Sequence, residues 1–199
     1  MAVLLSEAPE LLAVEALPHK TWTRDELALV EATGVFEGTH FELIEGELID
    51  KMGKKFPHVA GTRELALALS ALFAPDHVLQ EPSIDISDAD NPKNEPEPDV
   101  VVLNRTFRGL GNNAKPKDIV LVAEVADTTL HQDLTTKARL YARAAIAEYW
   151  VLDLPKHRIH VYRDPSGDAY QTRFIVDEAG SVAPLAQPDR AIAVSSVLP

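Results

Sequence analysis

At 199 residues, 46% of them hydrophobic and 25% charged, the chain is long enough to bury a core and is far from disordered or fibrous compositions. It contains no cysteine, which excludes disulfides, thiolate zinc sites and cysteine nucleophiles and leaves oxygen and imidazole as metal ligands. A formal net charge of −12 argues against a generic DNA-coating protein, because neutralising phosphates takes surplus lysine and arginine.

The N-terminal stretch lacks a basic start, and Glu7, Glu10 and Glu15 interrupt its short apolar runs, so neither a signal peptide nor a membrane span is expected and the protein reads as cytoplasmic. Residues 1–22 read as an arm and 23–199 as one domain. Thr23 followed by Glu26 is a capping-box pattern that opens a helix through Leu27 and Val30, with Gly34 placed to end it. Residues 41–50 alternate on either side of Glu45-Gly46, as a tight hairpin does. Val59, Leu65, Leu69, Leu72 and Phe73 give 58–73 the spacing of an amphipathic helix, stopped by Pro75.

Residues 78–80 and 84–86 read as strand pieces, followed by a loop rich in proline, aspartate and asparagine that ends at Asp99. The valine-rich runs 100–103 and 119–125 have the continuous apolar character of strands covered on both faces. Residues 134–145 are helical in composition, and 148–152, 158–162 and 170–176 read as strands separated by proline turns. The expected architecture is α/β: a central mixed β-sheet flanked by helices, with a β-rich last third. No repeat is evident.

Three residues stand out chemically. If 100–103 and 119–125 pair antiparallel, Asp99 at the start of one lies beside Glu124 near the end of the other. Alternation puts Glu124 on the face of Val120 and Val122, where an unpaired carboxylate costs several kcal/mol and must meet a cation, take up a proton or reach water. A hard divalent ion shared with Asp99 at carboxylate separations of about 4–6 Å satisfies both acids; a lysine or arginine partner for Glu124 is the plain alternative. Lys137 has Leu134 and Tyr141 on its helix face, so its ammonium either reaches that pocket or snorkels with its stem over apolar surface. Lys51, Lys54 and Lys55, and Arg105, Arg108, Lys115 and Lys117, form two basic clusters that read either as solvated loops or as a rim for an anionic ligand.

The stretches FELIEGELI, NEPEPDVVVL, LVAEVADTTLHQDLTTKARLYARAAIAEYWVLDL and RIHVYRDPSGDAY resemble the Uma-two-type restriction-endonuclease family, within the PD-(D/E)xK nuclease superfamily. The resemblance runs over 41–199 and is most specific across 124–154. It implies a restriction-endonuclease-like fold with a metal site in which Pro98-Asp99 supplies the PD element and Glu124 the second acidic ligand. In that pattern a lysine stands two positions after the acid. Here Ala126 occupies it, so Lys137 would serve from the helix. Glu47 matches the additional acid of many superfamily members, with Glu42 and Glu45 as competitors; His58 matches a recurring family position and also reads as a helix-end structural histidine.

The implied activity is Mg²⁺- or Mn²⁺-dependent hydrolysis of a phosphodiester of nucleic acid, DNA first. The ion would be held by Asp99, Glu124 and the Val125 backbone carbonyl, Lys137 would orient the attacking water, and Glu47 would hold a second ion or its water. A homodimer is expected from symmetry statistics. The sequence shows no Gly-x-Ser-x-Gly elbow, no Walker loop, no Gly-x-Gly-x-x-Gly fingerprint and no HExxH, which removes serine hydrolase, nucleotide-fold and zinc-protease readings. Two other readings stay open: a nuclease-fold binding or assembly module without cleavage, and a metal-dependent hydrolase of a small phosphorylated substrate.

Overall fold

A computed structural model of the chain describes residues 19–51 and 53–199. All of the expected arm but 19–22 lies outside them; of those four, Trp22 donates its N–H to the Gly46 carbonyl at 2.7 Å. The capping box forms, with Thr23 and Glu26 bonding reciprocally, and opens α1 (Arg24–Glu31), which stops at Ala32, ahead of Gly34. The hairpin is β1 (Phe41–Ile44) against β2 (Glu47–Asp50), with Glu42 opposite Ile49. Gly46 at its turn has φ +80°, and a Cβ there would lie 2.8 Å from that of Thr21, so the incoming chain can cross the turn only over glycine.

The second helix, α2 (Phe56–Phe73), begins two residues earlier than its apolar spacing predicts, with Pro57 in the first turn, where a missing N–H costs nothing. It lies close against the sheet at Gly61, whose added Cβ would be 3.1 Å from Leu154 and 3.3 Å from Val125. That approach fixes the N-terminal turn of α2 beside the end of the central strands.

The main sheet takes β3 (Val78–Gln80), β4 (Val100–Leu103), β5 (Ile119–Ala126), β6 (Glu148–Asp153), β7 (Arg158–Ser166) and β8 (Ala169–Asp177) in that spatial order. Only β5 and β6 pair in parallel, and the helical crossover 130–143 joins them. Residues 84–86 are not a strand: Ile84 makes a single bridge to Ala114, and the proline-rich loop carries the chain away before a ladder can form. A two-residue ladder of β9 (Ser181–Val182) with β10 (Ile192–Ala193), not expected from the sequence, closes the C-terminal part.

Two apolar layers sandwich the sheet. On one face α2 packs Leu65, Ala66 and Leu69 onto Val100, Val102, Leu121, Ala123 and Val125. On the other, the crossover packs Leu140, Tyr141 and Ala142 near Val101, Val122, Tyr149 and Val151. The ladder shifts register between Val102 and Leu103, and Val120 packs with the α2 layer, so Glu124 shares its face with Val122 but not, as simple alternation implies, with Val120. No helix among the described residues is long and apolar enough to cross a membrane.

Candidate functional site

The β4–β5 register pairs Val100 with Ala123, so the next step outward sets Asp99 opposite Glu124. Both carboxylates line one cleft, together with Glu42, Lys54, His58, Asp133 and Lys137 among others. The crossover contributes through a break in its regularity. It consists of α3 (Leu130–Gln132), a π-helical turn over Asp133–Lys137, and α4 (Ala138–Arg143). Wide turns of this kind re-aim side chains and concentrate at functional sites. This one leaves both Asp133 and Lys137 buried beneath the cleft.

Lys137 does not snorkel. Its ammonium is 2.9 Å from Glu124 Oε1 and 3.0 Å from Glu42 Oε1, with the side chain 7% exposed. Tyr141, on the same helix face, donates its hydroxyl to Glu124 Oε1 at 2.9 Å. Burial drives the Glu124 carboxyl up; Lys137 opposes this, but Asp99, Asp133 and Glu42 add to it, and the group is pushed up to about 8. Burial would lower the Lys137 ammonium, but Glu124 first, then Glu42 and Asp133, raise it well above its ordinary value. Glu124 and Lys137 thus pull in opposite directions: the lysine keeps its charge, and the shortage of positive charge falls on the acid. Asp133 is also raised, by burial first, although Lys137 and the Thr129 hydroxyl at 2.7 Å favour its charged form.

Asp99 behaves in the opposite way. Burial would raise it, but His58 at 3.2 Å, Lys54 at 2.9 Å and the Val125 N–H at 2.8 Å outweigh that and hold the carboxyl well below the ordinary carboxylate range. Two neighbouring acids of one cleft are therefore driven apart, one held charged and one held protonated.

Not every expected residue reaches the cleft. Glu47 is exposed at the turn end of the hairpin and does not line it; of the three hairpin glutamates Glu42 does, buried opposite Ile49 and accepting the Glu97 N–H at 2.8 Å. Glu45 pairs with Arg143 on the outside. Val125 points its side chain into the α2 layer, and the contact it makes with Asp99 is through its N–H. Of the basic clusters, Lys51, Lys54 and Lys55 border the cleft. The other does not: Arg105, Arg108, Lys115 and Lys117 belong to the loop at the opposite end of β4 and β5, where Arg105 pairs with Asp118 at 3.2 Å. Ala126 is wholly buried in the crossover's layer.

One residue, Asp133, and one contact, that of Lys54 with Asp99, escaped the sequence reading. Asp133 precedes Lys137 by four positions and Tyr141 by eight, a shared helix face that would have flagged it. The contact of Lys54 with Asp99 has no such signature, since it depends on the path of the chain after β2.

The donor set suits a hard divalent cation: the carboxylates of Asp99, Glu124, Glu42 and Asp133 line one cleft, and the pressure on Glu124 to hold a proton is what such an ion relieves. Among the described residues, however, no three acidic or histidine side chains are gathered closely enough to hold a metal ion as they stand. Lys137 sits between two of the acids, and Lys54 and His58 cover a third.

The crystal structure titled a putative nuclease belonging to DUF820, from Anabaena variabilis, is similar to this chain at TM-score 0.65 with 18% sequence identity, covering 88% of this chain and 96% of that one. At that identity the likeness concerns the fold alone, a mixed central sheet flanked by helices. No curated protein matches the chain. The model of the Uma2 family, described as "Putative restriction endonuclease", matches residues 26–195, and the chain belongs to that family.

Proposed function

We propose that the protein is a metal-dependent endonuclease that hydrolyses phosphodiester bonds, with DNA as the substrate of first choice. The observation that carries the reading is the cleft at the joined ends of β4 and β5, where Asp99, Glu124, Glu42 and Asp133 outnumber the one fully buried cation, Lys137. Mg²⁺ or Mn²⁺ would be held by Asp99 and Glu124, with Glu42, Asp133 and the Val125 backbone carbonyl as further oxygen donors, and would polarise the scissile phosphate. Lys137, fixed by Glu42 and Glu124, stabilises negative charge developing on the phosphate and orients the attacking water. Tyr141 holds Glu124 in place through its hydroxyl. The exposed Lys55 and the half-buried Lys51 at the rim supply positive charge for the nucleic-acid backbone, which the acidic remainder of the surface lacks.

One observation favours a second reading, a binding module without cleavage: Asp99 and Glu124 already have cationic partners from their own chain. The deciding experiment measures Mn²⁺ affinity and cleavage of supercoiled and linear DNA for wild type, Asp99→Asn and Glu124→Gln. The nuclease reading expects Mn²⁺-dependent cleavage in wild type and its loss, by about 10²-fold or more, in either variant. Mn²⁺ binding with no cleavage of any nucleic acid would leave the binding-module reading standing.

A further inference from the structure

Asp99 is engaged on both carboxylate oxygens. Oδ1 takes the Lys54 ammonium at 2.9 Å, while Oδ2 takes the Val125 N–H at 2.8 Å and faces His58 Nε2 at 3.2 Å. A divalent ion at Asp99 has to compete with these groups, and they differ in how firmly they are held. The Val125 N–H belongs to β5. His58 is set by the first turn of α2, with its other ring nitrogen 3.5 Å from the Thr62 hydroxyl. Lys54 comes from the irregular stretch between β2 and α2, next to Gly53, where an added Cβ would meet nothing within 4 Å. Its side chain is 24% exposed and also reaches Oε1 of the exposed Glu81 at 2.6 Å.

Two other lysines of the cleft, Lys137 and Lys51, are held in place. Lys137 is buried between Glu42 and Glu124, and withdrawing it would leave both without their cation. Lys51 is held by the side chain and the carbonyl of Glu97.

We propose that Lys54 is an exchangeable cation. In the metal-free protein it neutralises Asp99; a divalent ion displaces it; and the released ammonium then binds a phosphate of the nucleic-acid substrate at the mouth of the cleft. The exchange ties metal binding to substrate binding through one side chain. The inference rests on the nuclease reading and adds to it a substrate-contacting residue.

The test uses the full chain as wild type, Lys54→Met and Lys54→Arg, each first checked for an unchanged thermal transition. Mn²⁺ affinity is measured by calorimetry without nucleic acid, and binding of a labelled DNA duplex is measured against salt in Ca²⁺, chosen as a non-cleaving ion. Lys54→Met is expected to bind Mn²⁺ about two- to fivefold more tightly, the range for releasing a partly exposed ion pair. It is expected to bind DNA more weakly, with the log–log salt slope smaller by about 0.9, and Lys54→Arg is expected to restore the slope. A lysine that only pins the loop predicts unchanged or weaker Mn²⁺ binding and an unchanged slope, and either result overturns the exchange. If wild type and Lys54→Met both bind no Mn²⁺, the nuclease reading fails and the exchange with it. If both bind Mn²⁺ equally and cut DNA equally, the exchange alone is lost.

Discussion

Glu124 and Glu148 sit on adjacent strands of one sheet, each almost wholly buried, yet their surroundings are opposites. Glu148 is met by Arg163 at 2.7 Å, by the Trp150 indole N–H at 2.9 Å and by the Leu185 N–H at 2.7 Å, so donors reach both of its oxygens. Both hydrogen bonds that Glu124 receives from described residues fall on Oε1, from a lysine shared with Glu42 and from Tyr141. Buried charge is tolerated where it is paired and hydrogen-bonded. Glu148 meets that condition within its own chain, and Glu124 falls short of it by about one positive charge. The difference separates an acid whose charge the fold satisfies from one whose charge it does not.

The sharpest way to break the comparison is to neutralise each acid in turn. Glu124→Gln should abolish Mn²⁺-dependent cleavage, by about 10²-fold or more, with little effect on folding, because the native carboxyl already carries a proton through most of the neutral range. Glu148→Gln should do the reverse, lowering stability by about 3 kcal/mol by stranding Arg163, while activity per folded molecule is kept. Urea denaturation alongside a cleavage assay reads both. Equal stability losses in the two variants would show that the acids are the same kind of residue.

The sequence shows the scaffold of this contrast more readily than its detail. Continuous valine runs mark β4 and β5 as doubly covered strands, and the capping box and the Glu45-Gly46 turn are local chemistry, readable without knowing the rest of the chain. The pairing of Asp99 with Glu124 follows from those runs and one antiparallel step. What stays hidden is set by distant segments. Glu42 rather than Glu47 is buried because Glu97 and the loop before β4 close over the first strand of the hairpin, whereas Glu47 shares the same hairpin face but stands at the open turn. The bulge at Val120 overrides simple alternation, and the π turn that buries Asp133 has no residue signature of its own.

The cations offer a second, smaller contrast. Arg163→Met leaves Glu148 buried without its arginine and should cost about 3 kcal/mol. Lys137→Met should cost less than this at neutral pH, since Glu124 can hold a proton and only Glu42 is left buried without its cation, but should lower cleavage by about 10²- to 10³-fold. Mn²⁺ affinity should hold or rise in the lysine variant, because a like charge beside the ion is gone. Full cleavage by Lys137→Met would make its position between two acids a matter of packing and remove it from the proposed chemistry.

The gentlest test of the comparison is pH. The folded protein holds the Glu124 carboxyl up to about 8, whereas in the unfolded chain it ionises near its ordinary value of 4.5. Between those values the unfolded state gives up a proton that the folded state keeps, so this group makes the metal-free fold less stable as pH rises from about 4.5 to about 8, and adds no further change above that. Asp133, raised by burial, has the same sign; Asp99, held low, contributes stability that is present above its ordinary range and is lost as pH falls through it. His160, lowered by burial, works the other way as it loses its proton, so the readout is the difference: from about pH 5 to about pH 8 the thermal transition of the metal-free wild type should fall relative to that of Glu124→Gln, the slope that Glu124 contributes. Mn²⁺ should reverse its sign: binding expels the proton from Glu124, so metal affinity climbs with pH until about 8 and then levels. A metal-free slope that Glu124→Gln leaves unchanged would assign the titration to another group, and the contrast with Glu148 would then rest on hydrogen bonding alone.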